Sequence, residues 1–234
     1  MKYKILFYLL LVTYNSFSQN INFGLSVGTG LSNQTLRSES NSSTGAGVEW
    51  NTIGGLPYRV DSYLGYNAGL ILEIYFDLST DPVDEKIISR KISLKTGINY
   101  SSQGVVVEDV NMTRFENNLT YLQIPILIDF KIQKFNFFIG PQIHLLQDFS
   151  TIESRSSNLS SNATSQNPGF KFEKKYFLEN DPNFVFGLGY EIYDGLSLQI
   201  KSLISLQNIT NISGEQWKNR SFELTVNYIL NNLL

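Results

Sequence analysis

The chain has no cysteine, and this absence excludes disulfide bonds, thiolate metal sites, cysteine nucleophiles and a lipoprotein anchor. It has one histidine, so a metal centre or a catalytic histidine network has few candidate residues. The formal net charge is only −3, and no basic patch with interleaved aromatics is present. We therefore predict no cofactor, no metal site and no nucleic-acid partner.

Long hydrophobic runs are also missing. The longest apolar stretch, Ile5 to Val12, falls well short of the ~20 residues that a membrane-spanning helix requires. It follows Lys2 and Lys4 and precedes small residues around Ser18, a pattern typical of a secretory signal peptide. We predict a signal peptide over residues 1–18 and one barrel domain over residues 19–234.

What the chain does contain is a period-two alternation of apolar and polar residues, the pattern of strands with two different faces. The first segment sets Phe23, Leu25 and Val27 against Gly24 and Ser26. Eight segments of this kind cover residues 21–31, 64–76, 92–100, 122–132, 135–145, 184–192, 196–206 and 222–230.

The connections between these segments predict how they are arranged. Four are long and polar, over residues 32–63, 102–118, 149–181 and 207–219. Gln133-Lys134 and residues 193–195 form tight turns, and the remaining connection, 77–90, carries the turn signal Asp81-Pro82. We predict an all-β, eight-stranded antiparallel up-and-down transmembrane β-barrel, with long extracellular loops and both termini on the periplasmic side.

The two faces of the segments predict which side meets lipid. The apolar faces are nearly unbroken over the length that a tilted spanning strand needs, whereas the opposite faces are rich in Gly, Ser and Asn and fit a narrow lumen. Glu73 with Lys95, and Lys201 with Glu223, lie at matching heights on neighbouring strands. We predict that both pairs form ion pairs inside the lumen. A soluble, lipocalin-like barrel with an apolar cavity is the alternative.

Candidate chemistry is sparse. His144 is predicted to face the lumen near a barrel mouth, with Asp148 and Ser150 close in sequence, so a membrane-embedded hydrolase or acyltransferase using His144 is one hypothesis. A purely structural lumen histidine is the other. Acidic residues in the 77–90 connection could hold calcium or simply form a solvated turn. Residues 170–177 are predicted to extend two strands as a hairpin, either for packing or for contact with a partner protein or glycan.

Several motifs carry a resemblance to a known family. Tyr-Leu-Gln-Ile-Pro-Ile-Leu-Ile at 121–128 resembles the Tyr-Leu-(Glu/Gln)-Ile-Pro-Leu-Leu segment of the PorT-like outer-membrane β-barrel family of Bacteroidota. Phe-Ile-Gly-Pro-Gln at 138–142 is similar to the Phe-Ala-Gly-Pro element that follows it, and residues 186–191 and 218–222 match its late strands. Beside the resemblance, Pro125 removes a ladder donor and predicts a bulge or a locally broken pairing.

The resemblance implies the fold and an outer-membrane location, but no catalytic residues. Members include a component linked to gliding and type IX protein secretion. The resulting expectation is an integral outer-membrane barrel, surrounded by outer-membrane lipid, with a non-enzymatic binding, assembly or envelope-structural role. Its expected partners are other envelope or secretion proteins that contact the extracellular loops.

Overall fold

The computed structural model describes residues 20–38, 51–53, 56–77, 90–109, 113–155 and 173–230. None of the helical segments in these ranges is long and apolar enough to cross a membrane. Several predicted features lie outside the described residues: the signal peptide, the acidic positions 81, 84 and 85, most of the serine-rich loop segments, and the tail at 231–234.

The described chain folds into nine strands: β1 Asn20–Ser38, β2 Asn51–Ile53, β3 Leu56–Asp77, β4 Arg90–Asp109, β5 Thr113–Ile132, β6 Phe135–Arg155, β7 Asn180–Tyr193, β8 Leu196–Ser205 and β9 Glu215–Leu230. All except β2 form an antiparallel ring in the order β1-β9-β8-β7-β6-β5-β4-β3, closed by pairing of β3 with β1. The short β2 pairs only with the start of β3. The predicted eight-stranded up-and-down barrel is confirmed.

The ring closes along the seam between the first and last strands. β1 and β9 pair continuously from Phe23↔Leu230 to Ser38↔Glu215. On its other side β1 pairs with β3, from Asn20↔Tyr75 to Ser32↔Tyr63. The other barrel strands pair with their neighbours in sequence, so the β1–β9 seam joins the two ends of the described chain.

The two ends of the barrel differ. At one end the tight turns Gln133-Lys134 and Asp194-Gly195 connect β5 to β6 and β7 to β8, as the sequence predicts. Gln133 (φ 54) and Gly195 (φ 76) both have left-handed backbone conformations that tight hairpins require. We call this the turn end, and the opposite end, where β4 meets β5 and β8 meets β9, the loop end.

Burial alternates along the strands and shows which face points outward. On β9, Phe222, Leu224, Val226 and Tyr228 are 39–54% exposed, whereas the intervening polar side chains are nearly fully buried. The other barrel strands carry the same exposed aliphatic and aromatic side chains over part of their length. The apolar face therefore points outward and the polar face lines the lumen. Because the apolar face points outward, the alternative of a soluble barrel with an apolar cavity is excluded.

The strands are longer than the sequence predicts. Residues taken as polar loops continue as strand: β1 runs to Ser38, β4 to Asp109, β6 to Arg155, and β5 begins at Thr113. The sequence pattern underestimates the strand lengths because the apolar residues change from the outward face to the inward face along the strand. On β4, Ile98 and Tyr100 are exposed on the outside, but beyond them Val105 and Val107 are the apolar residues and point inward.

Pairing is interrupted around Pro125, as predicted, and without a bulge. The β4–β5 ladder passes from Thr96↔Ile126 directly to Asn99↔Gln123, and the β5–β6 ladder skips two positions beside it. Register is the same on both sides of each gap. The strands also approach closely here, since a Cβ on Gly140 would lie 2.2 Å from the carbonyl oxygen of Ile126.

Candidate functional site

Near the turn end the lumen holds a buried ion cluster. Lys95 Nζ lies 2.8 Å from Glu73 Oε1 and 2.8 Å from Asp129 Oδ2, and all three side chains are almost inaccessible. Asn136 Nδ2 donates to both Asp129 oxygens at 3.0 Å, and the Tyr75 hydroxyl donates to Glu73. The structure therefore brings the predicted pair Glu73–Lys95 together and adds Asp129 as a second acid. We call these five residues the turn-end cluster.

A cavity of about 390 Å³ adjoins the turn-end cluster and reaches the Asp194-Gly195 turn. A second ion pair, Lys131 with Glu191, lines it, and these two side chains are 30% and 21% exposed. The cavity lining is mostly polar. We call this polar cavity, with its Lys131–Glu191 pair, the vestibule; it is large enough to hold water.

An apolar side chain, Phe138, lies inside the lumen above this cluster. Its ring centroid is 5.6 Å from Lys95 Nζ, a cation–π contact, and its other neighbours include Leu127, Val185 and Leu203. The ring fits because β7 carries glycine opposite it: a Cβ on Gly187 would lie 2.3 Å from the ring of Phe138. Small residues on one strand thus make room for a large residue on the next.

A second buried network is centred on Glu223. Lys201 Nζ lies 2.9 Å from Glu223 Oε2, so the other predicted pair is also brought together. Asn67 Nδ2 donates to the same oxygen at 2.9 Å, and Gln103 Nε2 donates to Glu223 Oε1 at 3.1 Å. These residues come from β8, β9, β3 and β4, so the carboxylate ties several parts of the wall together.

Nearer the loop end, Asn219 crosses the lumen. It accepts from Gln34 Nε2 at 2.9 Å and donates to the Tyr121 hydroxyl at 3.0 Å and to Asp181 Oδ2 at 2.9 Å. In the strand order, β9 with Asn219 and β5 with Tyr121 lie on opposite sides of the ring. A direct hydrogen bond between opposite walls leaves no room for a wide channel at this level.

His144 is fully buried in the same region. Its Nδ1 lies 3.9 Å from Asp181 Oδ2, and its Nε2 lies 2.7 Å from Gln142 Nε2. The acid beside His144 is therefore Asp181, and not the sequence neighbour Asp148, which is exposed and accepts from the backbone N–H of Phe149. Asp181 could not be found from sequence because β6–β7 pairing, across a long connection, places it there.

The hydrolase hypothesis needs His144 to contact an acid and a nucleophile in an accessible pocket. Ser205 Oγ is the buried serine hydroxyl here, but it donates to Asp181 Oδ1 at 2.5 Å, so the carboxylate lies between the serine and the histidine. Ser150 is exposed on the outside of β6. Within the described ranges, neither hydroxyl is hydrogen-bonded to His144, so the arrangement that would activate a nucleophile is missing there.

Above these polar residues an apolar cluster closes the loop end. We call it the apolar cap; its buried members are Leu36, Val105, Val107, Phe115, Leu119, Tyr121, Leu146, Phe177, Ile209 and Trp217. Trp217 is fully buried, its ring centroid lies 5.6 Å from that of Phe177, and its Nε1 donates to Glu215 Oε2 at 3.1 Å. Both polar and apolar atoms of the indole are thus satisfied in the interior.

Two connecting segments, 173–179 and 206–214, complete the apolar cap. Leu178 N donates to Ile209 O at 2.8 Å, and Thr210 Oγ1 donates to Tyr176 O at 2.7 Å. The predicted hairpin extension at 170–177 is wrong over its described part, because Lys174–Tyr176 forms one turn of 3-10 helix and Phe177 enters the cap. Residues 170–172 lie outside the described ranges.

The outer surface around the apolar cap is polar. Arg59 lies 3.3 Å from Asp61, and Arg114 lies 3.2 Å from Glu116. In the 173–179 segment, a hydrogen bond from Lys175 lowers the pKa of the exposed Glu173 carboxyl. Charged outward residues mark this part of the wall as surrounded by water, in contrast to the apolar outer face nearer the turn end.

An antiparallel eight-stranded barrel with an outward apolar band and a filled polar interior defines the class of outer-membrane β-barrel proteins. The sequence profile described as "Outer membrane protein beta-barrel domain" matches residues 17–211, and the chain belongs to this family. This membership indicates an outer-membrane location. The narrower resemblance to PorT-like barrels of Bacteroidota, and the signal peptide, stay predictions.

Comparison with solved structures finds distant likenesses. Neisserial surface protein A shares 10% identity, covering 88% of this chain and 96% of that chain, with a TM-score of 0.39. OprG from Pseudomonas aeruginosa shares 11% identity over 91% and 97% of the two chains, also with a TM-score of 0.39. Ail from Yersinia pestis, solved with the heparin analogue sucrose octasulfate, shares 7% identity over 90% and 99%, with a TM-score of 0.35. No curated protein matches the chain. The family assignment rests on the sequence profile.

Proposed function

We propose that this protein is a non-conducting, non-enzymatic barrel of the outer membrane whose loop end is a rigid platform for binding or assembly with other envelope or secretion proteins. The observation that carries the proposal is the apolar cap. It turns the strand ends beyond the membrane band into a folded unit with its own core.

Side chains fill the lumen at three heights, and this disfavours the passage of ions. Lys95 bridges two acids near the turn end, Glu223 collects three donors in the middle, and Asn219 reaches the opposite wall near the loop end. Eight strands enclose a space that side chains can fill, and here the side chains are fixed by ion pairs and hydrogen bonds. The apolar cap then closes the loop end above them.

The platform consists of the paired ends of β3, β4, β5 and β6 beyond the apolar band. β4 and β5 pair from Ser102↔Thr120 to Glu108↔Arg114, and β5 and β6 continue to Thr113↔Arg155. A surface that is already ordered loses less conformational entropy on binding than flexible loops do. Ile152, 64% exposed on the outer face of β6, gives this polar surface an apolar contact point.

The proposed partner class follows from the resemblance to PorT-like barrels, some of which are linked to protein secretion. Enzymatic function has less support, because His144 is buried below the apolar cap and its acidic neighbour Asp181 is already bonded to Ser205 and Asn219. A membrane-anchored binding or assembly component would contact its partner through the loop end, where the strands extend beyond the apolar band and enclose the apolar cap.

Two measurements test the proposal. The purified full chain, inserted in planar lipid bilayers, is expected to give no stepwise conductance. In cells, a photo-reactive amino acid at Ile152 is expected to crosslink to a discrete envelope protein. The same substitution at Ile143, on the lipid-facing part of the same strand, serves as the matched control.

Regular channel openings by the unmodified protein would overturn the non-conducting assignment. No protein adduct at Ile152, or the same adducts at Ile152 and Ile143, would overturn the platform assignment. An adduct that disappears when Trp217 is replaced by alanine would add direct support, because Trp217 holds the cap and makes no contribution to the outer surface.

A further inference from the structure

Two basic residues stand at the edge of the apolar band on β9. Phe222 is the last exposed apolar side chain of this strand, and the next two outward positions toward the loop end are Arg220 and Lys218, both exposed. On the neighbouring strands, exposed Leu31 lies opposite Phe222, exposed Ile204 lies opposite Arg220, and exposed Leu206 follows two residues beyond Ile204, so the stems of the basic residues lie beside apolar surface. We call Lys218 and Arg220 the rim pair.

The positive charge of the rim pair is not neutralised by its surroundings in the described part of the chain. Arg220 lies opposite Asn33 and Ile204, and Lys218 lies opposite Thr35, all uncharged. Neither basic side chain forms an ion pair with another described residue. By contrast, the outward arginines on β3 and β5 each have an acid two positions along the same strand, at 3.3 and 3.2 Å. The rim pair therefore lacks the acidic partners that the outward arginines on β3 and β5 have.

The rim pair is positioned where lipid headgroups lie. The hydrocarbon region of a bilayer ends where the outward apolar residues end, and headgroup phosphates lie just beyond. Long basic side chains run their stems along apolar surface and place their charge in that layer. Arg220 and Lys218 share one face two residues apart, so their backbones are about 7 Å apart, within reach of a single headgroup.

We propose that Arg220 and Lys218 bind the phosphate of an anionic lipid headgroup in the leaflet that faces the loop end. The guanidinium of Arg220 donates two parallel hydrogen bonds to phosphate oxygens, and the ammonium of Lys218 adds a compact charge beside it. The uncharged Asn33 and Thr35 next to them leave the approach of an anion unopposed. The barrel thereby acquires a preferred lipid on one side of its perimeter.

The experiment measures which lipids stay bound to the purified full-length barrel in native mass spectrometry. The protein is extracted from vesicles of phosphatidylcholine containing either phosphatidylglycerol or diphosphorylated lipid A. The test variant is K218Q/R220Q, and the control variant R59Q/R114Q removes the same charge elsewhere on the outer face at the loop end. All four positions are exposed, so the substitutions leave the interior unchanged. Folding of both variants is verified by electrophoresis, in which a folded barrel resists unfolding.

We expect the unmodified barrel to retain the anionic lipid over phosphatidylcholine, and K218Q/R220Q to reduce this retention about tenfold. R59Q/R114Q is expected to leave it unchanged. Equal losses in both variants, or no loss in K218Q/R220Q, would overturn the proposal. Addition of millimolar inorganic phosphate separates the two sources of the anion: displacement of the lipid by free phosphate would identify a free-phosphate site and overturn the lipid assignment.

Discussion

The two halves of the lumen are closed by opposite kinds of interaction. Near the loop end a tryptophan, phenylalanines and branched aliphatics form a dry cap, whereas near the turn end lysines and carboxylates surround a wet cavity. The surroundings explain the difference. Where water lies outside the wall, burying apolar side chains inside stabilises the fold. Where lipid lies outside, apolar side chains gain little by turning inward, so the interior is left to polar residues that bond to one another.

The cap is the half that depends on apolar burial, and Trp217→Ala tests it most severely. Removing a fully buried indole should lower the free energy of unfolding by about 4 kcal/mol, because it leaves a cavity next to Phe177. Equilibrium unfolding of the barrel in lipid vesicles with urea measures this. Trp217→Phe, which retains a ring but loses the bond to Glu215, should cost about 1 kcal/mol. Equal losses for both variants would contradict a packing role.

The turn-end half depends on charge pairing, and Lys95→Met tests that half. The substitution leaves Glu73 and Asp129 buried together without their cation, which should cost about 3 kcal/mol of unfolding free energy. The matched control is the triple variant K95M/E73Q/D129N, which removes all three charges. We expect it to recover most of the loss in the same urea titration; a triple variant as unstable as K95M would show that packing, and not charge, is responsible.

The hydrogen bond across the lumen marks the transition between the two halves. Asn219→Ala removes bonds to Gln34, Tyr121 and Asp181 and should cost about 2 kcal/mol, since buried partners are left unsatisfied. Asn227→Ala is its control on the same strand and face, because the side-chain oxygen of Asn227 has no hydrogen-bond partner in the described structure. Urea unfolding should give Asn227→Ala a loss of about 1 kcal/mol or less, clearly smaller than that of Asn219→Ala. Similar losses at the two positions would deny Asn219 a special role.

The smallest effect is expected at the vestibule itself. Lys131 and Glu191 form an ion pair that water reaches, so Lys131→Met should change stability by less than about 1 kcal/mol. The change should shrink further at high salt, which screens exposed charges. Unfolding titrations at low and high salt measure both values. A loss as large as that of Lys95→Met would mean that the vestibule is drier than its cavity and exposure indicate.

The barrel within the membrane band was predictable because lipid imposes one strict alternation on every strand. Because successive side chains on a strand point to opposite faces, an outward Phe222 requires an inward Glu223. The pairs Glu73–Lys95 and Lys201–Glu223 could be predicted because their members lie directly opposite each other on adjacent strands. Asp129 was missed as a second partner of Lys95. It lies diagonally across the β4–β5 pair, since Lys95 is opposite Leu127, and this register is known only from the pairing of β4 with β5 in the structure.

The loop end was not predictable in the same way. At residues 102–118 polar residues occupy both faces of the strands, among them the buried Gln103 and Asn117, so the sequence pattern predicts a polar loop. A signal was nevertheless present: Val105 and Val107, and Phe115 and Leu119, still follow a period of two or four, but on the face opposite to Ile98. Contacts such as Asn219 with Tyr121 join opposite walls and depend on the tilt of all eight strands, which a single sequence does not specify.

The seam between β1 and β9 has a consequence for assembly. The other strand pairs of the wall can form between neighbours in sequence, but this one requires the first and last strands to meet, the slowest kind of contact for a folding chain. Until they meet, each presents a row of unpaired backbone groups that hydrocarbon cannot satisfy. Closure of this seam therefore removes the last unpaired strand edges of the wall, along a register that runs from Phe23↔Leu230 to Ser38↔Glu215.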